Sequence, residues 1–145
     1  MLTFEDVINS AIERENEAAK FYRKIAEEAF TESLKKVFLE FAIEEEKHRD
    51  RLIAIRDGEF DLGDLKKEVN LKIGEYIVSP TAVTDEVDYK QALKLAMSRE
   101  KSSFRFYSEL GQKVTDKKVK ELFFRLAQEE AKHKLTLEVH IDDFS

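Results

Sequence analysis

Two stretches of this chain occur twice at one spacing. Residues 11–22 (AIERENEAAKFY) return at 96–107 (AMSREKSSFRFY), and residues 38–48 (FLEFAIEEEKH) return at 123–133 (FFRLAQEEAKH), so both offsets are 85 residues. A repeat of this kind fixes the architecture before any single element is read. It predicts two helical hairpins of equal dimensions, joined head to tail.

Within each half, apolar residues recur in alternating steps of four and three. That spacing keeps one face of a helix turned toward its neighbours. The first helix presents Phe4, Ile8, Ala11, Glu15, Ala18, Tyr22 and Ile25, and the second presents Leu34, Phe38, Phe41, Glu45, His48, Leu52 and Ile55. The second half answers with Leu93, Ala96, Glu100, Ser103, Tyr107 and Leu110, then with Val119, Phe123, Leu126, Glu130, His133 and Leu137. Thr3 can cap the first helix with Asp6 as its capping-box partner, and Thr31 the second after a turn near Phe30-Thr31. Asp116 stands where Thr31 stands, and Gly58 after Asp57 can take the left-handed conformation that ends a helix. Residues 58–87 hold Gly58, Gly63, Gly74 and the one proline, Pro80. They read as a crossover with a short helix around Leu65–Ile73; the third helix starts near Asp88 and the fourth ends near His140. The expectation is an all-α single domain over 1–145, a four-helix bundle with hairpins at 3–57 and 88–140 joined by a long crossover.

At 145 residues and 42% hydrophobic content, the chain can bury a core without disulfides. It has no cysteine, which excludes thiol nucleophiles, Cys-ligated zinc and iron–sulfur clusters held by this chain. A net charge of −6 argues against nucleic acid and against an anionic membrane surface as partners. The N-terminal residues lack a basic and apolar leader pattern, and a cytoplasmic protein is expected. Apolar residues off the stripes (Val7, Ile12, Phe21, Phe104, Phe106, Phe124) suggest helix-to-helix pairing of subunits, as a homodimer or small homo-oligomer.

Every stripe is interrupted in mid-helix by glutamate. Glu15 lies about as far before the first turn as Glu45 lies after it, so an antiparallel hairpin brings the two level; Glu100 and Glu130 flank Asp116 in the same way. Glu45 with His48, and Glu130 with His133, are i, i+3 pairs on one helical face. Six ionisable side chains thus converge on one buried layer. An unpaired buried carboxylate costs several kcal/mol, and no Lys or Arg falls on a stripe to pair with these. Two divalent cations would supply four positive charges against four carboxylates. Oxygen-rich ligation with one imidazole per metal suits Fe or Mn best, with Zn as a further possibility. Glu13 and Glu17 become Ser98 and Ser102 in the repeat and read as solvated. Glu44 and Glu129 do repeat but lie off the stripe, and they read as surface.

Glu15, Glu45-x-x-His48, Glu100 and Glu130-x-x-His133 resemble the ligand set of the ferritin-like di-iron carboxylate proteins. The phrases Glu15 to Phe21-Tyr22 and Glu100 to Phe106-Tyr107, with Glu-x-Lys-His, are most similar to the rubrerythrin branch. The resemblance implies a ferritin-like fold and two iron ions, with His48 and His133 each capping one. It also implies that Tyr22 and Tyr107 donate hydrogen bonds to ligand carboxylates. The activity implied is reduction of peroxide or dioxygen; ferroxidase or iron storage, and a metal-stabilised scaffold or sensor that never turns over, are the alternatives. Rubrerythrins carry a rubredoxin-like Cys₄ iron domain, which a chain without cysteine cannot build. An external electron donor, such as a rubredoxin-type protein, is therefore expected. Rubrerythrins also carry another Glu three residues after the third-helix ligand, where this chain has Ser103, so the resemblance implies an iron that keeps its His in both oxidation states. His140 has no histidine counterpart, since Ile55 stands there, and reads as a helix-end residue.

Overall fold

The computed structural model describes residues 3–29, 31–58 and 89–143. They form four α-helices: α1 (Phe4–Glu27), α2 (Glu32–Arg56), α3 (Tyr89–Lys113) and α4 (Lys117–Asp143). α1 packs along α2 and α3 along α4, which gives the two hairpins that the repeat predicts.

The helix ends follow local chemistry. The Thr3 hydroxyl accepts from the Asp6 backbone N–H at 3.1 Å, and the Asp6 carboxylate accepts from the Thr3 N–H at 3.0 Å. At α2 the Thr31 hydroxyl accepts from the Leu34 N–H, and at α4 the Asp116 carboxylate accepts from the Val119 N–H. Each bond satisfies a donor that a helix start leaves without an intrahelical partner. α2 closes at Gly58 with φ of +90°, a conformation open to glycine and strained for other residues. α4 runs to Asp143, beyond the expected end at His140, because no Gly or Pro interrupts Ile141-Asp142-Asp143.

Two apolar clusters fill the bundle, one toward each end. The first joins the start of α1 (Phe4, Ile8), the end of α2 (Leu52, Ile55), the end of α3 (Leu110) with Val114 just after it, and the start of α4 (Val119, Phe123). The second joins the end of α1 (Tyr22, Ile25), the start of α2 (Phe38, Phe41), the start of α3 (Leu93, Ala96) and Leu137 near the end of α4. α2 therefore ends at one end of the bundle and α3 begins at the other. Residues 59–88, which include the rest of the expected crossover with its short helix at Leu65–Ile73 and the expected third-helix start at Asp88, lie outside the described residues.

Part of the expected subunit-pairing surface belongs to the core. Val7, Ile12 and Phe106 are buried in the first cluster, whereas Phe104 is 40% exposed. Each helix here packs against more than one neighbour, so its buried face is wider than a two-per-heptad stripe.

Candidate metal centre

Between the two apolar clusters lies a polar layer. Glu15 from α1, Glu45 and His48 from α2, Glu100 from α3, and Glu130 and His133 from α4 are each 3% exposed or less. All six sequence-predicted polar residues thus meet in one place. Their potential ligand atoms fall into two groups, in which the atoms lie within 4.8 Å of one another. One group is Glu15, Glu45, His48 and Glu130; the other is Glu45, Glu100, Glu130 and His133. Glu45 and Glu130 belong to both. Two ions held here would share those two carboxylates, and each would keep one glutamate and one histidine of its own.

One atom of every residue in the layer lacks a hydrogen-bond partner: Glu15 Oε2, Glu45 Oε1, His48 Nδ1, Glu100 Oε2, Glu130 Oε1 and His133 Nδ1. Buried polar atoms without partners are rare and costly. Here they converge. His48 Nδ1 lies 3.1 Å from Glu130 Oε1 and 3.5 Å from Glu15 Oε2, and His133 Nδ1 lies 3.1 Å from Glu45 Oε1 and 3.6 Å from Glu100 Oε1. None of these approaches has hydrogen-bond geometry. A cation at each group would satisfy these atoms, and three carboxylates with one imidazole per group fit a hard or borderline metal ion.

The electrostatics show what the metal-free layer does instead. Burial and the charges of Glu130, Glu15 and Glu100 push the Glu45 carboxyl well above its ordinary range. Glu100 is raised to about 8, first by burial and then by Glu130. Burial opposes a charged His48, but its hydrogen bond to Glu129 and the approach of Glu130 and Glu15 outweigh it, raising the ring to about 12. His133 rises to about 10 against the same burial, through Glu100 and Glu44. Glu130, though buried, is drawn down to about 2 by its contact with His48. Without metal the two imidazoliums act as the counterions of the carboxylates. A bound ion would take that place, because a ligating nitrogen must lose its proton.

The surrounding side chains hold the layer crosswise between hairpins. The Tyr22 hydroxyl of α1 donates to Glu100 of α3, and the Tyr107 hydroxyl of α3 donates to Glu15 of α1. Burial raises both phenols well above their ordinary value, so both remain protonated donors. His48 Nε2 bonds Glu129 of α4, and His133 Nε2 bonds Glu44 of α2. An Nε2–H donated outward leaves Nδ1 with its lone pair aimed into the layer, which is how a neighbouring carboxylate fixes the tautomer of a metal-binding histidine.

Glu44 and Glu129 lie at the surface, as the sequence suggests, but with a contact it did not show. Their side chains are partly exposed, at 49% and 33%, yet each carboxylate rests on a histidine of the opposite hairpin. The available signal was that both repeat at the offset of 85, beside a repeated histidine. Arg14 and Arg99, also repeated, were missed as well. The Arg14 guanidinium lies 5.3 Å from the Phe106 ring centroid, and that of Arg99 lies 5.0 Å from Phe21. Arg14 donates to the Ser103 hydroxyl at 3.0 Å and to Ser102 at 3.3 Å. Ser103 is thus buried and tied to a cation. His140 belongs to neither ligand group; its ring packs 6.4 Å from Phe38.

A four-helix bundle with two carboxylate–histidine groups sharing two glutamates defines a class: helical proteins with a paired-metal carboxylate site. The chain belongs to the rubrerythrin family, whose model matches residues 6–140. Among solved structures it is similar to a Thermotoga maritima protein classed as a ferritin-like diiron-carboxylate protein. The two share 24% identity over 99% of this chain and 97% of that one, with a TM-score of 0.78, a likeness of fold. It is also similar to a hypothetical protein from Pyrococcus furiosus, at 27% identity over 97% of this chain and 89% of that one, with a TM-score of 0.79. Among curated proteins, none matches this chain. No helix among the described residues is long and apolar enough to cross a membrane.

Proposed function

We propose that this protein uses a pair of iron ions to reduce peroxide or dioxygen, as a defence against oxidative stress. The observation that carries this reading is the set of six unpartnered atoms converging in two groups that share Glu45 and Glu130. Structural zinc sites are closed tetrahedra built mainly from Cys and His. These groups offer mostly carboxylate oxygens, a set suited to Fe or Mn. Two ferrous ions, when bound, supply one electron each for a two-electron reduction.

The chain's own residues prepare that chemistry. Glu45 and Glu130 would serve both ions, while Glu15 and Glu100 would each serve one. Tyr22 and Tyr107 pin one oxygen of Glu100 and Glu15, leaving the other directed inward. The apolar clusters on either side exclude bulk water. An external electron donor, for which a rubredoxin-type protein is the expected form, would return the two electrons. The working unit is a homodimer or small homo-oligomer in the cytoplasm. Ser103 favours ferroxidase activity as a second reading, because its hydroxyl, tied to Arg14, adds no further carboxylate to the ligand set.

Anaerobic mixing of the fully reduced protein with peroxide, and separately with oxygen, tests the reading. Rapid oxidation of both irons with the metal retained is expected, with water as the product of peroxide and hydrogen peroxide as the two-electron product of oxygen. Metal retained without oxidation by either reagent would leave a scaffold or sensor. Steady turnover of added ferrous ion would support the ferroxidase reading.

A further inference from the structure

The α1–α3 face carries two cations that take no part in holding metal ions. Arg14 and Arg99 are repeat equivalents on antiparallel helices, so they enter the groove between α1 and α3 from opposite ends. The Arg14 guanidinium lies over Phe106 of α3 and donates to the Ser102 and Ser103 hydroxyls near the middle of the groove. The Arg99 guanidinium lies over Phe21 of α1 and leans toward the same middle. The repeat-equivalent pair at that middle, Ala18 and Ser103, is small on both helices.

Two like charges on a half-buried face repel unless an anion stands between them. Burial holds the Arg99 guanidinium below its ordinary value; Glu17 opposes this, and the nearby Arg14 charge adds to it. Among the described residues Arg99 makes no hydrogen bond and no ion pair, and its buried Nε has no partner. Its own helix offers no outward carboxylate, because α3 carries Ser98 and Ser102 where α1 carries Glu13 and Glu17. Glu17 itself is exposed and makes no ion pair among the described residues. Ser103 is 9% exposed, yet Arg14 reaches it from the groove, and a hydroxyl that accepts one hydrogen bond still has its own proton to donate.

We propose that the α1–α3 groove binds a small tetrahedral oxyanion, inorganic phosphate, between the guanidiniums of Arg14 and Arg99 with the Ser103 hydroxyl beneath. A guanidinium is a planar fork of donors that matches two oxygens of a phosphate, and two such forks facing one middle suit a tetrahedral anion. The anion supplies the negative charge that α3 lacks beside Arg99. Chloride, a sphere with no fixed acceptor directions, fits the forks less well. The site stands apart from the redox reading, because neither arginine belongs to a ligand group.

The test uses the metal-free full chain, so that no phosphate is taken up by an ion in the carboxylate layer. Phosphate is titrated at constant ionic strength, balanced with chloride, while nitrogen-15 spectra follow the Nε–H resonances of Arg14 and Arg99. Both should shift together and saturate at one phosphate per chain. Arg99→Met keeps an unbranched stem over Phe21 and removes the fork, and it should weaken phosphate at least about tenfold. Arg99→Lys keeps the charge alone and should recover only part of that loss. Glu17→Gln, at an exposed position, removes a competing charge and should tighten phosphate. If Arg99→Met does not fold, the wild-type titration and Arg99→Lys still decide. The proposal is overturned by the absence of a saturable shift at Arg99, by an equal response to chloride, or by phosphate affinity that neither Arg99 variant changes. Shifts gathered on Lys47 and Lys132 instead would overturn it as well.

Discussion

The two sides of the carboxylate layer come from the same repeat and are built differently. On the α2–α4 side stand both histidines and both shared glutamates, backed by Glu44 and Glu129 and reached from a cleft lined with lysine. On the α1–α3 side stand one unshared glutamate per helix, each held by a buried tyrosine of the other helix, and on the same helices Arg14 and Arg99 lie over Phe106 and Phe21. The first side has the donor set that would hold both ions and a route to the surface. The second fixes two carboxylates and closes the layer. Each half of the repeat contributes two glutamates and one histidine to the layer, and the division of labour arises between helices of a hairpin.

The largest expected effect separates shared from unshared ligands. Glu45→Ala or Glu130→Ala should lose both ions, because each carboxylate belongs to both groups. Glu15→Ala or Glu100→Ala should lose one. Elemental analysis after loading and desalting distinguishes the two patterns, and equal losses from all four variants would break the asymmetry.

Next in size is the pH dependence of the metal-free protein. His48 and His133 are more basic when folded than their ordinary 6.5, so their protonation stabilises the fold fully below about pH 6.5 and fades as pH rises toward about 10 and about 12. Glu45 and Glu100 are also raised, and they act in the same direction from their ordinary 4.5 upward, through about 8 for Glu100. Glu130 is lowered and acts oppositely, but only as pH falls from 4.5 toward about 2. The melting temperature of the metal-free protein should therefore fall between about pH 6 and pH 9, and that of the loaded protein should fall less. Parallel pH profiles, with and without metal, would contradict a metal that replaces those protons.

Glu44→Ala and Glu129→Ala should each weaken one ion by roughly 10–100-fold, the usual consequence of removing a carboxylate behind a ligating histidine. Glu44→Ala acts on the His133 ion and Glu129→Ala on the His48 ion, and competition with a chelator measures both. Tyr22→Phe and Tyr107→Phe should be milder. They should retain both ions and cost about 1–3 kcal/mol in thermal unfolding of the metal-free protein, through a lost hydrogen bond to a buried carboxylate. A chelator titration in which the tyrosine variants lose more affinity than the glutamate variants would reverse the comparison drawn between the sides.

Period and repeat explain what the sequence could show. Glu15, Glu45, Glu100 and Glu130 stood out because each occupies an apolar stripe, and helical periodicity carries that information within a single segment. Glu44 and Glu129 were hidden by the same reasoning. They sit at the edge of the helix facing another hairpin, and their partners lie 89 and 81 residues away. The exchange of Tyr22 to Glu100, and of Tyr107 to Glu15, was hidden likewise: a stripe shows that a tyrosine faces inward but not which helix it meets. The helix starts at Thr3, Thr31 and Asp116 were readable because a cap acts within three residues. Arg14 was not, since it acts across α1 and α3 on Ser102, Ser103 and Phe106.

The central claim is that the six converging side chains form one site for two ions. Anaerobic titration of the metal-free protein with ferrous ion, followed calorimetrically in two buffers of different ionisation enthalpy, tests it most directly. The account predicts saturation at two ions per chain, with proton release as His48 and His133 give up their protons to ligation. Saturation at one ion or none, or uptake of two ions without proton release, would contradict it.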